Sequence, residues 1–294
     1  MTYHPQEEER AIGRITSVSG ITAYEAKQKA LLMIRQGRYQ PGSKLDKVIK
    51  LLSTGGVFFE EQIIELTGAK KRTLQKYRKK GYIDLLPAPI KLSELIKKPR
   101  VYALGPIGLA LAELQNQLVP TGYLKSSHDR ITHDVLCNLL YYRIYQAAKQ
   151  SGYVAILKGK YEACLHNEKG QAILEPDSMI ILAREEEKHH LLIEYHNEDF
   201  SSRAREKIRK YEQIARSRYW QNQWHLNSFP PILVATTHRA PATGYNEQIK
   251  KYLEGAGIKC RYLLKSLKKL LDPTDNTLQW LDLEKNRTVN LLEI

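Results

Sequence analysis

The chain has 294 residues, 42% of them hydrophobic and 27% charged, with a formal net charge of +14. That length suits about two domains of roughly 150 residues. No apolar run approaches the ~20 residues that span a bilayer, so a cytoplasmic protein with no membrane partner is expected. The positive excess points to a polyanionic partner, because Lys and Arg displace the counterions condensed on phosphates; a merely basic surface is the alternative.

The first ten residues, MTYHPQEEER, are acidic and polar, unlike a signal peptide. Cys137, Cys164 and Cys260 are far apart and show no metal-ligand spacing, so they read as isolated core thiols of a reducing compartment. Residues 1–43 form an N-terminal arm. Thr22-Ala-Tyr-Glu25 fits a capping box that opens a helix through about Arg35, closed by Gly37 and Pro41-Gly42. A dimerisation arm, hence a homodimer, and a docked helix are both open for it.

Residues 44–119 carry three short helical patterns. Val48, Ile49, Leu51 and Leu52 mark the first, which Gly55-Gly56 ends. Phe58, Ile63, Ile64 and Leu66 mark the second, and Thr67-Gly68 turns the chain. The third runs from Lys70 to Lys80 and stops at Gly81. Strands at Tyr82 to Leu85 and Val101 to Leu104 flank the loop Pro87 to Pro99, and Gly105-Pro106 opens a further helix. That order is a winged helix-turn-helix that binds double-stranded DNA. In the third helix, KKRTLQKYRKK, Leu74 and Tyr77 at i and i+3 dock inward. Lys70, Lys71, Arg72, Thr73, Gln75, Lys76 and Lys79 then face the duplex. Arg and Gln suit base edges; Lys and Thr suit phosphates. In the wing, Lys97, Lys98 and Arg100 add phosphate or minor-groove contacts. The alternative is a solvated basic helix.

Val119-Pro-Thr-Gly122 reads as a linker to a second domain, 125–294. A long helix covers about His128 to Gln150, with strands at 153–157, 161–165, 178–183 and 190–195. A helix at 202–218, a buried strand at 231–236, a helix at 244–254 and a strand at 259–264 follow. The order is α-β-β-β-α-β with extensions ending in a strand at 278–283. Asp177 follows Pro176 at the entry to one strand, and Glu194 ends the next. Lys207 and Tyr211 lie at i and i+4 on the following helix. A hairpin followed by that helix brings an aspartate, a glutamate and a lysine to one end of a sheet. That arrangement holds Mg²⁺ against a phosphodiester, with Asp177 and Glu194 as ligands. A turn aspartate after proline and a strand-end surface charge are the plainer readings. His133 on the long helix and Glu162 on a neighbouring strand are accessory candidates, each also readable as locally satisfied. Tyr219, Trp220 and Trp224 suit either base stacking or a core patch. GxxxxGK[ST], GxGxxG and GxSxG signatures are absent.

Pro176-Asp177 with Glu194-x-His196 resembles the PD-(D/E)XK nuclease superfamily. The resemblance implies an α/β restriction-endonuclease-like domain in which the Asp and Glu hold Mg²⁺ and a Lys two residues past the Glu activates water. Here that position is His196. Either Lys207 supplies the amine from the helix, with Tyr211 orienting it, or the site is degenerate and only binds. Joined with the winged helix, His133-Asp134 opening a long helix, and Lys207-x-x-x-Tyr211, the chain over about 44–215 is similar to the replication-relaxation family. That likeness implies a DNA-binding protein of a plasmid or other mobile element. It would act in replication, relaxation or transposition, with a relaxase, replication or transposition protein as partner. A non-enzymatic transcriptional or copy-number regulator, dimerising through its second domain, is the alternative.

Overall fold

The structure, a computed structural model, describes residues 20–89, 92, 96–117 and 127–294. The chain divides into two compact units after Val135. The expected linker at 119–122 lies outside the described residues.

In the first unit, Thr22 caps α1 (Ala23–Arg35) as its spacing predicts. Its hydroxyl accepts from the Glu25 N–H at 3.3 Å, and its own N–H donates to the Glu25 carboxylate at 2.9 Å. Ala26 and Ala30, small enough for close helix contact, are buried where α1 meets α5 (Pro106–Glu113). Ser43 caps α2 (Lys44–Gly55), which buries Val48, Ile49 and Leu52. α3 (Glu60–Thr67) and α4 (Lys71–Lys79) follow, joined through left-handed Gly68. Strands β1 (Phe58–Phe59), β2 (Ile83–Leu86) and β3 (Val101–Leu104) make an antiparallel sheet in the order β1-β3-β2. β1 corrects the expectation that Phe58 belongs to a helix: Phe58 pairs with Tyr102 and Phe59 with Val101. Two residues have no period to read, and their partner strand is distant in sequence.

α4 ends in a Schellman turn. Gly81 takes φ 74°, and the Tyr82 N–H donates to the Tyr77 carbonyl at 3.0 Å. The Tyr77 and Tyr82 rings then meet at 5.8 Å, the apolar contact that accompanies this turn. The turn feeds α4 directly into β2.

The unit boundary cuts α6 (His128–Gln150), which is unbroken across it. Tyr141 OH donates to the Ala155 carbonyl at 3.3 Å, and Arg143 to the carbonyls of Leu270 and Asp272, which anchor the helix in the second unit. That unit is built on a seven-stranded mixed sheet in the order β12-β11-β10-β9-β8-β7-β4. Its strands are β4 (Val154–Lys158), β7 (Ser178–Arg184), β8 (Glu187–His196), β9 (Ile232–Thr236), β10 (Tyr262–Ser266), β11 (Gln279–Asp282) and β12 (Arg287–Asn290). β4, β7 and β8 run antiparallel, β8 to β10 parallel, and β10 to β12 antiparallel again. The whole is a mixed α+β architecture.

The strand expected at 161–165 is instead a short helix, α7 (Lys160–Ala163), and a separate hairpin of β5 (Leu165–His166) with β6 (Ala172–Leu174). Glu162 accounts for the helix: its carboxylate accepts from the Gly159 N–H at 3.1 Å and caps it. α8 (Ser202–Ser217) and α10 (Arg239–Glu254) bury Ala204, Ile208, Tyr211, Tyr245 and Ile249 in one core with Met179, Leu192 and Val234 of the sheet. Gly244 permits this approach, since a Cβ there would sit 2.8 Å from the Ser201 Cβ. Trp220, on α9 (Tyr219–Trp224), belongs to this core, edge-on to Phe229 at 5.4 Å; Tyr219 is exposed. Among the described residues no helix is long and apolar enough to cross a membrane.

Candidate functional site

The β7–β8 hairpin sets the carboxylates side by side. Its register pairs Ser178 with Ile193, so Asp177 and Glu194 come next across the two strands. The Asp177 N–H donates to the Ile193 carbonyl at 3.1 Å, and the Tyr195 N–H donates to Asp177 Oδ2 at 2.8 Å. Side chains alternate along β8, so Leu192, Glu194 and His196 share the face that α8 and α10 cover.

On that face Glu194 is 1% exposed and three bonds hold it. Lys207 Nζ donates to Oε1 at 2.9 Å and lies 2.9 Å from Oε2, while Tyr211 OH donates to Oε1 at 2.5 Å. Lys207 and Tyr211 are one turn apart on α8, which is why both reach one carboxylate. Lys207 also donates to the Glu175 carbonyl at 3.1 Å. Burial pushes the Glu194 carboxyl up; Lys207 opposes that and the Asp177 charge adds to it. Burial works to lower the Lys207 ammonium, but the carboxylates of Glu194 and Asp177 outweigh it and hold its pKa above the ordinary value. Tyr211 is raised well above its usual range, first by burial and then by Glu194. The expected aspartate, glutamate, lysine and tyrosine therefore share one electrostatic environment.

His196 is turned to other work. Its Nδ1 lies 2.6 Å from Glu198 Oε1 and its Nε2 lies 3.1 Å from Tyr245 OH. Burial works against the Glu198 carboxylate, yet the His196 hydrogen bond keeps it below its usual range. Glu162, the other accessory candidate, is a helix cap.

Asp177 has a neighbour that spacing did not pair with it. The Cys137 Sγ, on α6, lies within 4.8 Å of a carboxylate oxygen of Asp177. Cys137, expected to be an isolated core thiol, is buried beside that carboxylate. His133, the accessory candidate on the same helix, has its Nδ1 3.1 Å from Asp134 Oδ1.

This donor set does not fit Mg²⁺, which takes oxygen ligands in strict octahedral geometry. Both Glu194 oxygens are engaged by Lys207 and Tyr211, and the further ligating atom beside Asp177 in this unit is the Cys137 sulfur.

In the first unit, α4 buries Leu74 and half-buries Thr73 and Tyr77. Lys70, Lys71, Arg72, Gln75, Lys76, Arg78, Lys79 and Lys80 are exposed, as are Lys97 and Lys98. Two of the expected DNA contacts are tied down. Lys71 Nζ lies 3.1 Å from Glu60 Oε1, and Arg100 Nε lies 2.9 Å from Glu60 Oε2. Tyr102 OH donates to the same buried carboxylate at 2.9 Å and accepts from Arg100 at 2.9 Å. Glu60 thus joins α4, β3 and the residue that precedes β3.

Comparison with protein-family models, with curated proteins and with solved structures finds no match to this chain.

Proposed function

We propose that the chain is a DNA-binding protein, its first unit a winged helix that sets α4 in the major groove. The carrying observation is the exposed cationic surface of α4: seven Lys and Arg between Lys70 and Lys80, all exposed, around one buried Leu74. A helix that buries one residue and exposes so many cations gains little from folding alone, and phosphates reward its charge. The order β1-β3-β2 after a pair of short helices supports the winged-helix reading. The second unit reads as a restriction-endonuclease-like domain. Its helix, three antiparallel strands, crossover helix and parallel strand support this, with Asp177 entering the second strand and Glu194 near the end of the third. With Glu194 locked by Lys207 and Tyr211, that domain is a binding form and not a Mg²⁺-dependent cutter. The setting, replication, relaxation or transposition of mobile-element DNA, rests on the resemblance alone.

The test is a mobility-shift series in rising salt with random duplex DNA. Arg72→Ala with Lys76→Ala should remove two phosphate or base contacts, weaken binding about tenfold or more, and flatten the salt dependence by roughly one to two units of slope. Affinity and slope equal to the parent's refute the proposal. Supercoiled plasmid should survive incubation with Mg²⁺ or Mn²⁺. Nicking that Asp177→Ala abolishes would restore an enzymatic reading of the second unit.

A further inference from the structure

We propose that β4 is a dimer edge, where two copies of the chain join their sheets by pairing β4 antiparallel with β4 of the partner subunit. β4 ends the seven-stranded sheet, so its outer side pairs with no other strand of that sheet. Soluble proteins blunt such edges with proline, with charge or with a bulge. From Val154 to Leu157, β4 has none of these. Its register with β7 is unbroken from Val154 opposite Ala183 to Lys158 opposite Met179. The opposite edge, β12, is protected: its exposed residues are Arg287 and Thr288. Tyr141 OH donates to the Ala155 carbonyl at 3.3 Å, which takes one of that oxygen's two acceptor positions.

Side chains alternate along the strand, so Val154 and Ile156 lie in line with Ala183 and Ile181, on the face that α8 and α10 cover further in. Ile181 is 9% exposed, yet Ile156 beside it is 48% exposed and Val154 63%. The apolar surface of the sheet therefore continues to its last strand and stops there in solvent. A second β4 extends it. With the two-fold axis at Ile156, that residue meets its own counterpart, and Val154 lies opposite Lys158 of the partner subunit. Directly opposed Cβ atoms are ~4.5–5.5 Å apart, so the row Ile156–Ile181 gains one further isoleucine.

Charge selects a second copy as the partner and antiparallel as the direction. One end of β4 carries Lys158 and, just beyond it, the exposed Lys160, 4.0 Å from Glu175. The other end abuts the β7–β8 turn, where Glu185, Glu186 and Glu187 are exposed. Tyr153, next to Val154, donates to Glu187 at 2.6 Å. Arg184, 3.3 Å from Glu187, and the exposed Lys188 offset two of these three charges, so this end is net negative. Antiparallel pairing sets the lysine end of each copy beside the glutamate end of the other, twice across the two-fold axis. Parallel pairing would set like ends together. Five residues of pairing make a small interface, so the dimer should dissociate on dilution in the micromolar range. Dimerisation through β4 is independent of DNA binding by α4, so either can fail without the other.

Sedimentation equilibrium of the full chain, from low to several hundred micromolar, should show monomer and dimer and no higher species, since two-fold pairing consumes the edge. Ile156→Lys, at an exposed position, should keep the parent's circular dichroism and melting temperature. It should weaken dimerisation at least about tenfold, because it sets two ammonium groups face to face. Glu185→Lys with Glu186→Lys should also weaken it, and adding Lys158→Glu with Lys160→Glu should restore it. Ile156→Cys should cross-link as a dimer under mild oxidation, because opposed Cβ atoms come close to disulfide range. Leu253→Cys, at an exposed position on α10, should cross-link no more than the parent. A chain that stays monomeric throughout overturns the inference and leaves the edge to a different protein. A dimer that Ile156→Lys leaves intact overturns it too, since the contact then lies elsewhere. Should Ile156→Lys fail to fold, absence of the Ile156→Cys cross-link overturns it equally.

Discussion

Replacing Lys207 with Met isolates the ion pair at the centre of the second unit. The parent holds Lys207 Nζ 2.9 Å from a Glu194 carboxylate that is 1% exposed. At an effective dielectric of 20 that separation corresponds to an attraction of about 6 kcal/mol, before the cost of burying both charges is set against it. Met keeps the apolar stem and removes only the charge, so Glu194 is left with Tyr211 OH and the repulsion of Asp177. Removing one member of a buried pair costs about 3–5 kcal/mol, a large share of the ~5–15 kcal/mol that holds a domain. The pH dependence carries the diagnosis. In the parent, Lys207 has a raised pKa, so its contribution is complete below its unfolded value of about 10.5 and is lost as pH rises through the folded value. In the variant, the already raised Glu194 is pushed higher still. Its folded form then binds a proton that the unfolded form, titrating near 4.5, releases. Stability of the variant should therefore rise as pH falls from 8 toward about 4.5, by up to ~1.4 kcal/mol per unit. Urea melts of the isolated second unit or the full chain at several pH values, read by tryptophan fluorescence, measure this. Adding Glu194→Gln should recover most of the loss. A Lys207→Met variant within about 0.5 kcal/mol of the parent at every pH would mean that the pair does not form, and the account of the site would fall with it.

Two further consequences concern packing and charge. Asp84, 2% exposed on β2, has an Oδ2 with no hydrogen-bond partner among the described residues, and burial pushes its pKa up to about 6 despite the nearby Arg78. The rise from 3.8 is a penalty of up to about 3 kcal/mol. It is absent below pH 4, grows between pH 4 and 6, and is constant above. Asp84→Asn should stabilise the first unit by about 1–2 kcal/mol at pH 7, after the cost of an unpaired amide, and by nothing at pH 4; denaturant midpoints at the two pH values decide it. Gly244→Ala should lower stability by roughly 2–3 kcal/mol, because the new Cβ would lie 2.8 Å from the Ser201 Cβ and 2.9 Å from its carbonyl oxygen. A calorimetric melting temperature equal to the parent's would show that α8 and α10 part without cost.

Local chemistry in the sequence carried much of this structure. Thr22 and Glu25 announce α1 because a capping box is satisfied within one turn. Gly81 announces the end of α4 because the Schellman turn needs a residue at positive φ. Lys207 and Tyr211 announce a shared target because i and i+4 share a helix face. Each of these signals lies inside a few residues, where backbone geometry alone relates the groups. Pairings between distant segments left no such trace. β1 exists only because Phe58 and Phe59 find Tyr102 and Val101 across the sheet. The segment 161–165 looked like a strand, and Glu162 made its first part a helix by accepting from the Gly159 N–H. Arg100 and Lys71 were read as DNA contacts from their charge, and the fold adds an ion pair of each with the buried Glu60 that their spacing did not show. His196 had the right spacing for a site residue, but α10 brought Tyr245 to it and Glu198 turned back onto it. Cys137 became a neighbour of Asp177 only when α6 was laid against the start of the β7–β8 hairpin. The sequence by itself determined which residues could cap, turn, charge a helix or share its face, since those depend on torsions and short-range bonds. Tertiary structure decided which charged groups were buried together, because desolvation and partner choice depend on what the rest of the chain packs around them.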